Sequence, residues 1–428
     1  MIKRYGFVLL GLVLIPGLIF YSCQKSGLND YIKTSHPLAD SSSDLRTVLK
    51  RTPFSLFNQA AQRINLDSLL PAGSYFTIFA PVDEAMVSAG LDQARIAGMP
   101  LDSLRKVILF HVAQGSYGQR AFMSATYNVE MKSLRKDITT DTKSASSITY
   151  QQLLYARISD VLYVNGEAVE KATDTAWTAS NGYIWPVRSL LTAPSQTVWQ
   201  IINSNPELSM YRMALQIDDS IYRANGFLPN PPFVWGAYLS KQVAGDSISF
   251  SWVVYDNLPN TQIYGFSRPT VFAPTNAAFY AMGIHTYQDM VDYNSSVPEP
   301  GPKIDMNTWQ TIWTYLPMDS LLKSHVIIYA GNNTAVRAPY HVSLYNDLLY
   351  NPDINNGSFN TVDFWNLGNA ANAPVPNPLL QFSNSNGTVN IRYMPGIPAV
   401  ALPADKSRHF LATNGAVYET DKLFIPHN

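Results

Sequence analysis

The chain has 428 residues, enough for two or more domains that each bury a core of their own. Only 14% of the residues are charged, where about a quarter is usual, and 30 basic against 31 acidic residues give a formal net charge of -1. A chain this neutral lacks the basic surface that nucleic-acid binding requires, and its single cysteine excludes a disulfide within the chain. We therefore expect no nucleic-acid partner and a fold stabilised by packing alone.

The amino-terminal residues have the features of an export signal. Two basic residues precede an apolar stretch at 7–20, which is too short and too interrupted for a comfortable membrane span. Cys23, the only cysteine, follows closely, and this arrangement resembles the cleavage box of bacterial lipoproteins, whose cysteine becomes the acylated first residue. We expect residues 1–22 to be a signal peptide and Cys23 to carry lipid. The alternative is a soluble secreted protein with an incidental cysteine.

The residues after the cysteine bear on location. Gln24 stands where an aspartate would indicate retention in the inner membrane, so we expect the anchor to lie in the outer membrane, on its cell-surface or its periplasmic face. Residues 23–43 then form a polar, serine-rich tether. A flexible chain of about 20 residues spans about 25 Å on average, which holds the following domain off the bilayer.

An internal repeat organises the rest of the chain. Residues 76–86 and 269–279 share the pattern Thr-x-Phe-Ala-Pro-x-(Asp/Asn)-x-Ala, and a repeat of this kind predicts one structural unit per copy. β-Branched and aromatic residues favour a strand, the proline ends it, and the acid or amide then suits the N-cap of a helix. The positions concerned are Pro81, Asp83, Pro274 and Asn276.

Both copies continue with a helical pattern that ends in a histidine. Apolar residues and the histidine share one helical face, because they stand three or four residues apart. These residues are Leu104, Val107, Ile108 and His111 in the first copy, and Met318, Leu321, Leu322 and His325 in the second. Each helix is expected to begin behind an aspartate N-cap, Asp102 or Asp319. A histidine on an apolar face is more often buried and bonded to the backbone than catalytic, so we interpret both as structural.

Each copy closes on an apolar strand that follows an Asn-Gly dipeptide, a strong turn signal. The dipeptides are Asn181-Gly182 and Asn414-Gly415. These limits place the first domain at residues 44–194 and the second at 195–428.

Three inserts make the second copy longer than the first. One contains an alternating run, 249–255, that favours a strand or hairpin, and the others, 296–317 and 351–387, have the composition of surface loops. Long inserts on a rigid scaffold often carry function, and we expect partner specificity chiefly in residues 332–387. Aromatic rings in such inserts either pack on the domain or form an interaction surface. The candidate partner-binding residues are Trp309, Trp313, Tyr345, Tyr350 and Trp365.

These motifs together resemble the fasciclin domain family. Residues 270–279 match its first signature almost letter for letter, an aliphatic-x-x-His-Val motif follows in both copies, and both closing strands fit its last signature. The resemblance implies an α+β fold of two tandem fasciclin-like domains, each a twisted β-wedge flanked by short helices. It also implies adhesion or complex assembly. Pro186 departs from the family, whose closing strand is usually uninterrupted.

The sequence contains no pattern that predicts catalysis or a cofactor. It lacks zinc-protease, serine-hydrolase and nucleotide-binding motifs, and no cysteine remains for a metal cluster. Residues 353–357 resemble part of a calcium loop, but Phe364 stands where the bidentate glutamate belongs, so we interpret them as a turn. We expect no enzymatic activity, cofactor or metal. The expected partner is a surface or periplasmic protein, with a glycan bound for a nutrient-uptake system as the alternative.

Overall fold

A computed structural model describes most of both domains. The described residues are 42–124, 128–140, 148–158, 160–169, 175–225, 254–255, 262–263, 270–309, 311–314, 316–323, 325–327, 380–385, 388–393, 398–413 and 415–424. The predicted signal peptide, the lipid-attachment residue, all but the end of the tether, the turn at 353–357 and three candidate partner-binding residues lie outside them. The residues concerned are Cys23, Tyr345, Tyr350 and Trp365. Within the described residues, no helix is both long enough and apolar enough to cross a membrane.

The first domain is an α+β unit built on a single sheet. Its helices α1 to α7 are Leu45–Arg51, Ser55–Arg63, Leu66–Leu69, Asp83–Ser88, Gln93–Gly98, Leu101–Phe110 and Gln119–Ser124. Its strands β1 to β8 are Phe76–Pro81, Val112–Gln114, Val129–Thr140, Ile148–Ile158, Leu162–Val164, Glu167–Ala168, Trp177–Ala179 and Gly182–Val187. The eight strands lie in the order β6-β5-β4-β3-β2-β1-β8-β7, antiparallel except for the pair β1 and β8.

The described part of the second domain repeats this arrangement. Its helices α8 to α12 are Val198–Ser204, Ser209–Ala224, Asn276–Tyr280, Tyr287–Asn294 and Pro317–Lys323, with 3-10 turns at Pro206–Leu208 and Lys406–Arg408. Its strands β9 to β19 are Val254–Tyr255, Gln262–Ile263, Thr270–Pro274, Gly301–Ile304, Thr311–Thr314, Val326–Ile327, Leu380–Ser385, Thr388–Tyr393, Val400–Ala401, His409–Ala412 and Gly415–Thr420. The strand order β14-β11-β19-β18 matches β2-β1-β8-β7, and its central pair is again parallel.

All three inserts contain strands within their described parts, and residues 296–317 contain β12 and β13. The last two residues of the alternating run form β9, which pairs with β10. The end of the predicted loop 351–387 lies in β15, which joins β16 and β17 in a three-stranded sheet. The assignment of that end to a loop was wrong, because the segment finds a partner strand directly after it in the chain.

A parallel pair of strands lies at the centre of each domain. Phe76 of β1 stands opposite Gly182 of β8, and Thr270 of β11 stands opposite Ala416 of β19. Every residue of β1 and β11 is buried. Strands that are covered on both faces have continuous apolar sequences, so the repeat shows little of the alternation that marks a half-exposed strand.

Pro186 continues the closing strand of the first domain. β8 runs through it, with Pro186 opposite Ala80. The Val82 N–H donates to the Val187 carbonyl at 3.0 Å, so the odd-numbered residues of β8 bond to β1. The Pro186 nitrogen therefore faces the other edge, beyond Ile184, where the pairing with β7 has ended. The proline removes no bond of the sheet.

The turn before β8 lies one residue earlier than predicted. Ala179 pairs with Gly182, so the turn residues are Ser180 and Asn181, and the assignment of Asn181-Gly182 to the turn was wrong. Gly182 opens the strand with a φ of 157°, and a Cβ there would lie 1.8 Å from the Phe76 carbonyl oxygen. The close approach of two backbones, and not a turn, requires this glycine.

The helices that precede the histidines also begin differently from prediction. α6 begins at Leu101 behind Pro100, and Asp102 is its exposed second residue. α12 begins at Pro317, and Asp319 is fully buried within it. A proline suits the start of a helix, because the first N–H groups have no partner in the helix. The predicted aspartate N-caps were wrong.

The close approach at Gly182 generates a stability prediction. Replacing Gly182 with Ala should cost more than about 3 kcal/mol of unfolding free energy, because the added Cβ collides with the backbone of the central strand. The matched control is Gly98→Ala in α5, where the added Cβ meets nothing within 4 Å and should be neutral or stabilising. Urea unfolding of both variants measures the difference. Equal stability of the two would contradict the required close approach.

Candidate functional site

The corner after the first strand ties two helices together in each domain. Asp83 and Asn276 were predicted as N-caps, but Val82 and Thr275 occupy the N-cap positions with no side-chain cap bond. That prediction was wrong because the chain stays extended for one residue beyond the proline, with Val82 at φ -64° and ψ 157°. The acid or amide then lies inside the helix, and its side chain reaches a different helix.

Both side chains accept hydrogen bonds at the start of that neighbouring helix. Asp83 Oδ1 accepts from the Leu56 N–H at 2.9 Å, and the Ser55 hydroxyl donates to its other oxygen. Asn276 Oδ1 accepts from the Met210 N–H at 2.9 Å in the same arrangement. The first N–H groups of a helix lack partners, so an acceptor placed there stabilises it. The same long-range bond therefore holds α2 in one domain and α9 in the other.

The two histidines occupy equivalent buried positions. His111 and His325 are each 0% exposed. His111 directly follows α6, and His325 lies two residues after the end of α12. The His111 carbonyl accepts from the Phe79 N–H at 2.8 Å, and the His325 carbonyl accepts from the Phe272 N–H at 2.8 Å. Each histidine backbone therefore bonds to the central strand of its own domain.

The rings of both histidines are bonded to backbone groups on both sides. His111 Nδ1 lies 2.9 Å from the Val107 carbonyl, and its Nε2 accepts from the Leu191 N–H at 3.0 Å. His325 Nδ1 lies 2.7 Å from the Phe272 carbonyl, and its Nε2 accepts from the Phe424 N–H at 2.9 Å. Because Nε2 accepts, the proton lies on Nδ1, which donates.

Burial controls the charge of these rings. It lowers the pKa of His111 to about 4 and that of His325 to about 3, against a smaller opposing effect of the bonded carbonyls. Both rings are therefore neutral at pH 7. With both nitrogens bonded to the backbone, neither ring is placed to transfer a proton to a substrate.

The second insert forms a β-hairpin, which we call the insert hairpin and define as residues 301–314. β12 and β13 pair from Gly301 opposite Thr314 to Ile304 opposite Thr311. The assignment of 296–317 to a loop was therefore wrong for these strands. The hairpin lies between α11 and α12, where the first domain has no strand between α5 and α6.

Asp305 organises the tip of the insert hairpin. Its Oδ1 accepts from the Asn307 N–H at 2.9 Å, its Oδ2 accepts from the Thr308 hydroxyl at 2.8 Å, and its carbonyl accepts from the Trp309 N–H at 2.7 Å. The hydrogen bonds from Asn307 and Thr308 lower the pKa of Asp305. The carboxylate thus remains charged and holds the turn at neutral pH.

This tip exposes large apolar side chains. Ile304 is 61% exposed, Met306 69% and Trp309 74%. Trp309 also has a φ of 55°, a left-handed conformation that is uncommon for a bulky residue and costs about 1–3 kcal/mol. Sequence reasoning identified Trp309 and missed its two apolar neighbours. The aspartate turn between them was the available signal.

The side chains of the other predicted aromatic residues lie outside the described part of the structure. Trp313 lies in β13 opposite Pro302, and its side chain is outside the described part of the structure. Tyr345, Tyr350 and Trp365 lie outside it altogether. Among the predicted partner-binding residues, Trp309 is the one whose side chain the structure describes.

A cleft of about 680 Å³ lies elsewhere in the second domain, between α8, the two 3-10 turns and the end of β19. Arg408 crosses it. Its Nε donates to Glu419 at 2.6 Å, and its terminal nitrogens donate to the two Asp421 oxygens at 3.0 and 2.5 Å. Asn205 Nδ2 donates to the second Glu419 oxygen at 2.6 Å, and Phe410 completes the lining.

One residue of this cleft differs in kind from its counterpart in the first domain. Glu419 stands opposite Ala273 in the second domain, and Pro186 stands opposite Ala80 in the first. A proline thus occupies the place of the carboxylate that Arg408 and Asn205 bind. Sequence reasoning missed this network. A charged residue inside an apolar closing strand was its only local signal.

A family model for the fasciclin domain matches residues 52–193. The first domain is a fasciclin domain. The FAS1 domain pair of the insect cell adhesion molecule fasciclin I is a similar solved structure, with 13% identity over 88% of this chain and 98% of that chain and a TM-score of 0.28. No curated protein matches the chain in sequence.

The predicted fold of two tandem fasciclin-like domains is confirmed. The family model covers the first domain, and the second repeats its strand order and its parallel central pair. The second domain also repeats the helix-tying acceptor and the buried histidine at equivalent places. Fasciclin domains are associated with adhesion and protein interaction.

The histidines generate a prediction about acid. The folded first domain holds His111 with a pKa of about 4, whereas an unfolded histidine has a pKa of about 6.5. Between these values the unfolded chain binds a proton that the folded domain does not. The stability is thus fully present above pH 6.5, and the unfolding constant rises up to about tenfold per pH unit as the pH falls toward 4.

Hydrogen exchange of peptides in β1 and α6 measures this dependence between pH 4.5 and 7. His111→Gln should lower the stability at pH 7 by about 1–3 kcal/mol and reduce the pH dependence by one proton. His285→Gln is the matched control, because His285 is exposed on the surface of the second domain. A His111→Gln protein with the pH dependence of the wild type would exclude this role.

Proposed function

We propose that this protein is a non-catalytic adhesion or protein-interaction module, anchored in the outer membrane through an acylated Cys23. The single observation that carries the binding role is the insert hairpin. Its tip exposes three large apolar side chains at 61–74%, held in place by the hydrogen bonds of Asp305. The association of fasciclin domains with adhesion supports the same class of function.

The chemistry of the tip suits a partner surface. Tryptophan and methionine are enriched at protein interfaces, and tryptophan is frequent among the residues that dominate binding energy. Burying a large apolar side chain contributes about 1.5–3 kcal/mol. Because the tip is already ordered, binding loses less conformational entropy than a flexible loop would. A partner with an apolar pocket therefore fits the tip.

The sequence supports the anchoring half of the proposal. The basic residues, the apolar stretch and the lone Cys23 have the order of a lipoprotein signal. The tether at 23–43 then places the first domain above the bilayer. Stable anchoring requires at least two acyl chains, since one chain binds a bilayer only marginally.

A second candidate function is glycan binding for a nutrient-uptake system, and the cleft around Arg408 favours it. Arg408, Asn205 and Asp421 present planar hydrogen-bonding groups in a fixed arrangement beside Phe410. Such groups can bond to sugar hydroxyls while the ring covers an apolar sugar face. The two functions predict different sensitive residues.

Replacing Trp309 tests the main proposal. Trp309→Asn should weaken partner capture from outer-membrane extracts at least about tenfold, because it removes a central apolar anchor. Asparagine is chosen because it tolerates the left-handed backbone of this position. Tyr287→Asn is the matched control, since Tyr287 is 56% exposed in the same domain but outside the hairpin.

Quantitative mass spectrometry of the captured proteins measures the loss. Unchanged capture by Trp309→Asn contradicts the proposal for the hairpin. Binding of envelope glycans that is lost in Phe410→Ala, and kept in Trp309→Asn, favours the alternative.

Replacing Cys23 tests the anchor. Cys23→Ser should move the protein from the membrane fraction to the soluble fraction, because no acyl chain can attach. Mass spectrometry of the wild-type protein should find Cys23 as the acylated first residue. An unmodified peptide that spans Ser22 and Cys23 in the mature protein contradicts the prediction.

A further inference from the structure

Two carboxyl groups are buried together in the core of the second domain. Asp218 of α9 is 1% exposed and Asp319 of α12 is 0% exposed. Asn294 of α11 lies beside them at 2% exposure and donates from Nδ2 to Asp218 Oδ1 at 2.8 Å. Asn294 Oδ1 accepts from the Met318 N–H at 2.9 Å, which joins α11 to α12. Three helices therefore meet at this group.

The fasciclin scaffold does not require a carboxyl group here. When the two copies are aligned at Ser55 and Ser209, Asp218 falls at the place of Ile64. Ile64 is 1% exposed and belongs to the apolar core of the first domain. The second domain thus holds an acid at a position where an apolar side chain suffices.

The remaining oxygen of Asp218 indicates its protonation. Asp218 Oδ2 is buried and has no hydrogen-bond partner. An ionised carboxylate without a cation costs several kcal/mol in a protein interior, and such a group takes up a proton instead.

We infer that Asp218 keeps a proton in the folded second domain, and that this domain consequently loosens as the pH rises above neutrality. Burial and the charge of Asp319 both raise the pKa of Asp218 well above its usual range, and the hydrogen bond from Asn294 opposes them in part. The second domain thus carries a titratable group where the first domain has Ile64.

The other charged and titratable groups described on α9 and α11 are either bonded to other partners or neutral. On α9, Arg212 donates to Asn203, and Tyr211 is buried with its pKa raised by burial, so it stays neutral. On α11, Asp289 bonds to the backbone of His285 and Thr286, and the exposed Asp292 accepts from Gln288.

The other elements contribute little charge that the structure describes. α8 contains no charged residue, and α10 contains only Tyr280 as a titratable group. The side chains of Asp219, Arg223 and Lys323 lie outside the described part. Asp319 on α12 is the charge that acts on Asp218.

The sign of the dependence follows from proton release. An unfolded aspartate has a pKa of about 3.9, far below that of folded Asp218, so unfolding between these values releases one proton. The stability from this group is fully present below pH 3.9. It falls as the pH rises toward the folded pKa, and the unfolding constant rises about tenfold per pH unit.

His325 in the same domain has the opposite effect over a limited range. Its folded pKa is about 3 against about 6.5 when unfolded, so unfolding binds one proton between these values. The two protons cancel between about pH 4 and 6.5, and the second domain should be nearly insensitive to pH there. Above about pH 6.5 only Asp218 contributes, and the domain loses stability.

Asp218→Asn tests the inference in the full-length protein. Asparagine keeps an acceptor for Asn294 and supplies an N–H donor in place of the proton. Hydrogen exchange of peptides in α9 reports the opening of the second domain between pH 5 and 9. The wild type should open about tenfold more per pH unit above pH 6.5, until the folded pKa is reached. Asp218→Asn should be flat there and should instead become more stable with pH between 5 and 6.5.

Asp292→Asn is the matched control, because it removes an exposed carboxylate from the same domain and should keep the wild-type profile. If Asp218→Asn does not fold, Asp319→Asn gives a second test. Removing the charge of Asp319 should lower the folded pKa of Asp218. The stability should therefore stop falling at a lower pH than in the wild type. A wild-type profile that is flat from pH 6.5 to 9, or an Asp218→Asn or Asp319→Asn profile identical to the wild type, overturns the inference.

Discussion

Each domain depends on the parallel pairing of its first strand with its last. β1 meets β8, and β11 meets β19, although the rest of the domain lies between them in the chain. Such non-local pairing carries a loop-closure cost that later contacts must offset. The features around it serve that pairing. Gly182 permits the backbones to approach, and Asn181 accepts from the Leu45 N–H at 2.7 Å and donates to the Ser74 carbonyl at 3.1 Å, which fixes α1 and the start of β1 together.

Because the central pair must be kept, the second domain could lengthen only away from it. The insert hairpin lies between α11 and α12 in the sequence, and β15 to β17 form a sheet of their own. The central register and the helix-tying acceptor are unchanged. A rigid scaffold that keeps its internal bonds allows the segments added to it to vary. For this reason we expect partner binding at the hairpin tip and not on the strands that both domains share.

The sequence predicted what is local and missed what is distant. The repeat identified β1, β11, both corners and the burial of His111, because propensity and spacing act within a few residues. The predicted role of Asp83 as the N-cap of its own helix was wrong, since the group that it accepts from, the Leu56 N–H, lies 27 residues away. The partner of His111 Nε2 lies 80 residues away, at Leu191. The Asp218 site was missed for the same reason, because it forms only when three helices pack.

The second domain shows two different solutions to a carboxyl group in its interior. Glu419 takes the place of Pro186 and is 5% exposed, but Arg408 and Asn205 bond to both of its oxygens. Asp218 takes the place of Ile64, and only one of its oxygens has a partner. The first carboxyl group has bonded partners at both of its oxygens, and the second avoids a charge by holding a proton. A stored proton makes the stability fall as the pH rises toward the folded pKa. Between about pH 4 and 6.5, the titration of His325 opposes that of Asp218, so the stability of the second domain changes little. Above this range, no titration among the described residues compensates for that of Asp218.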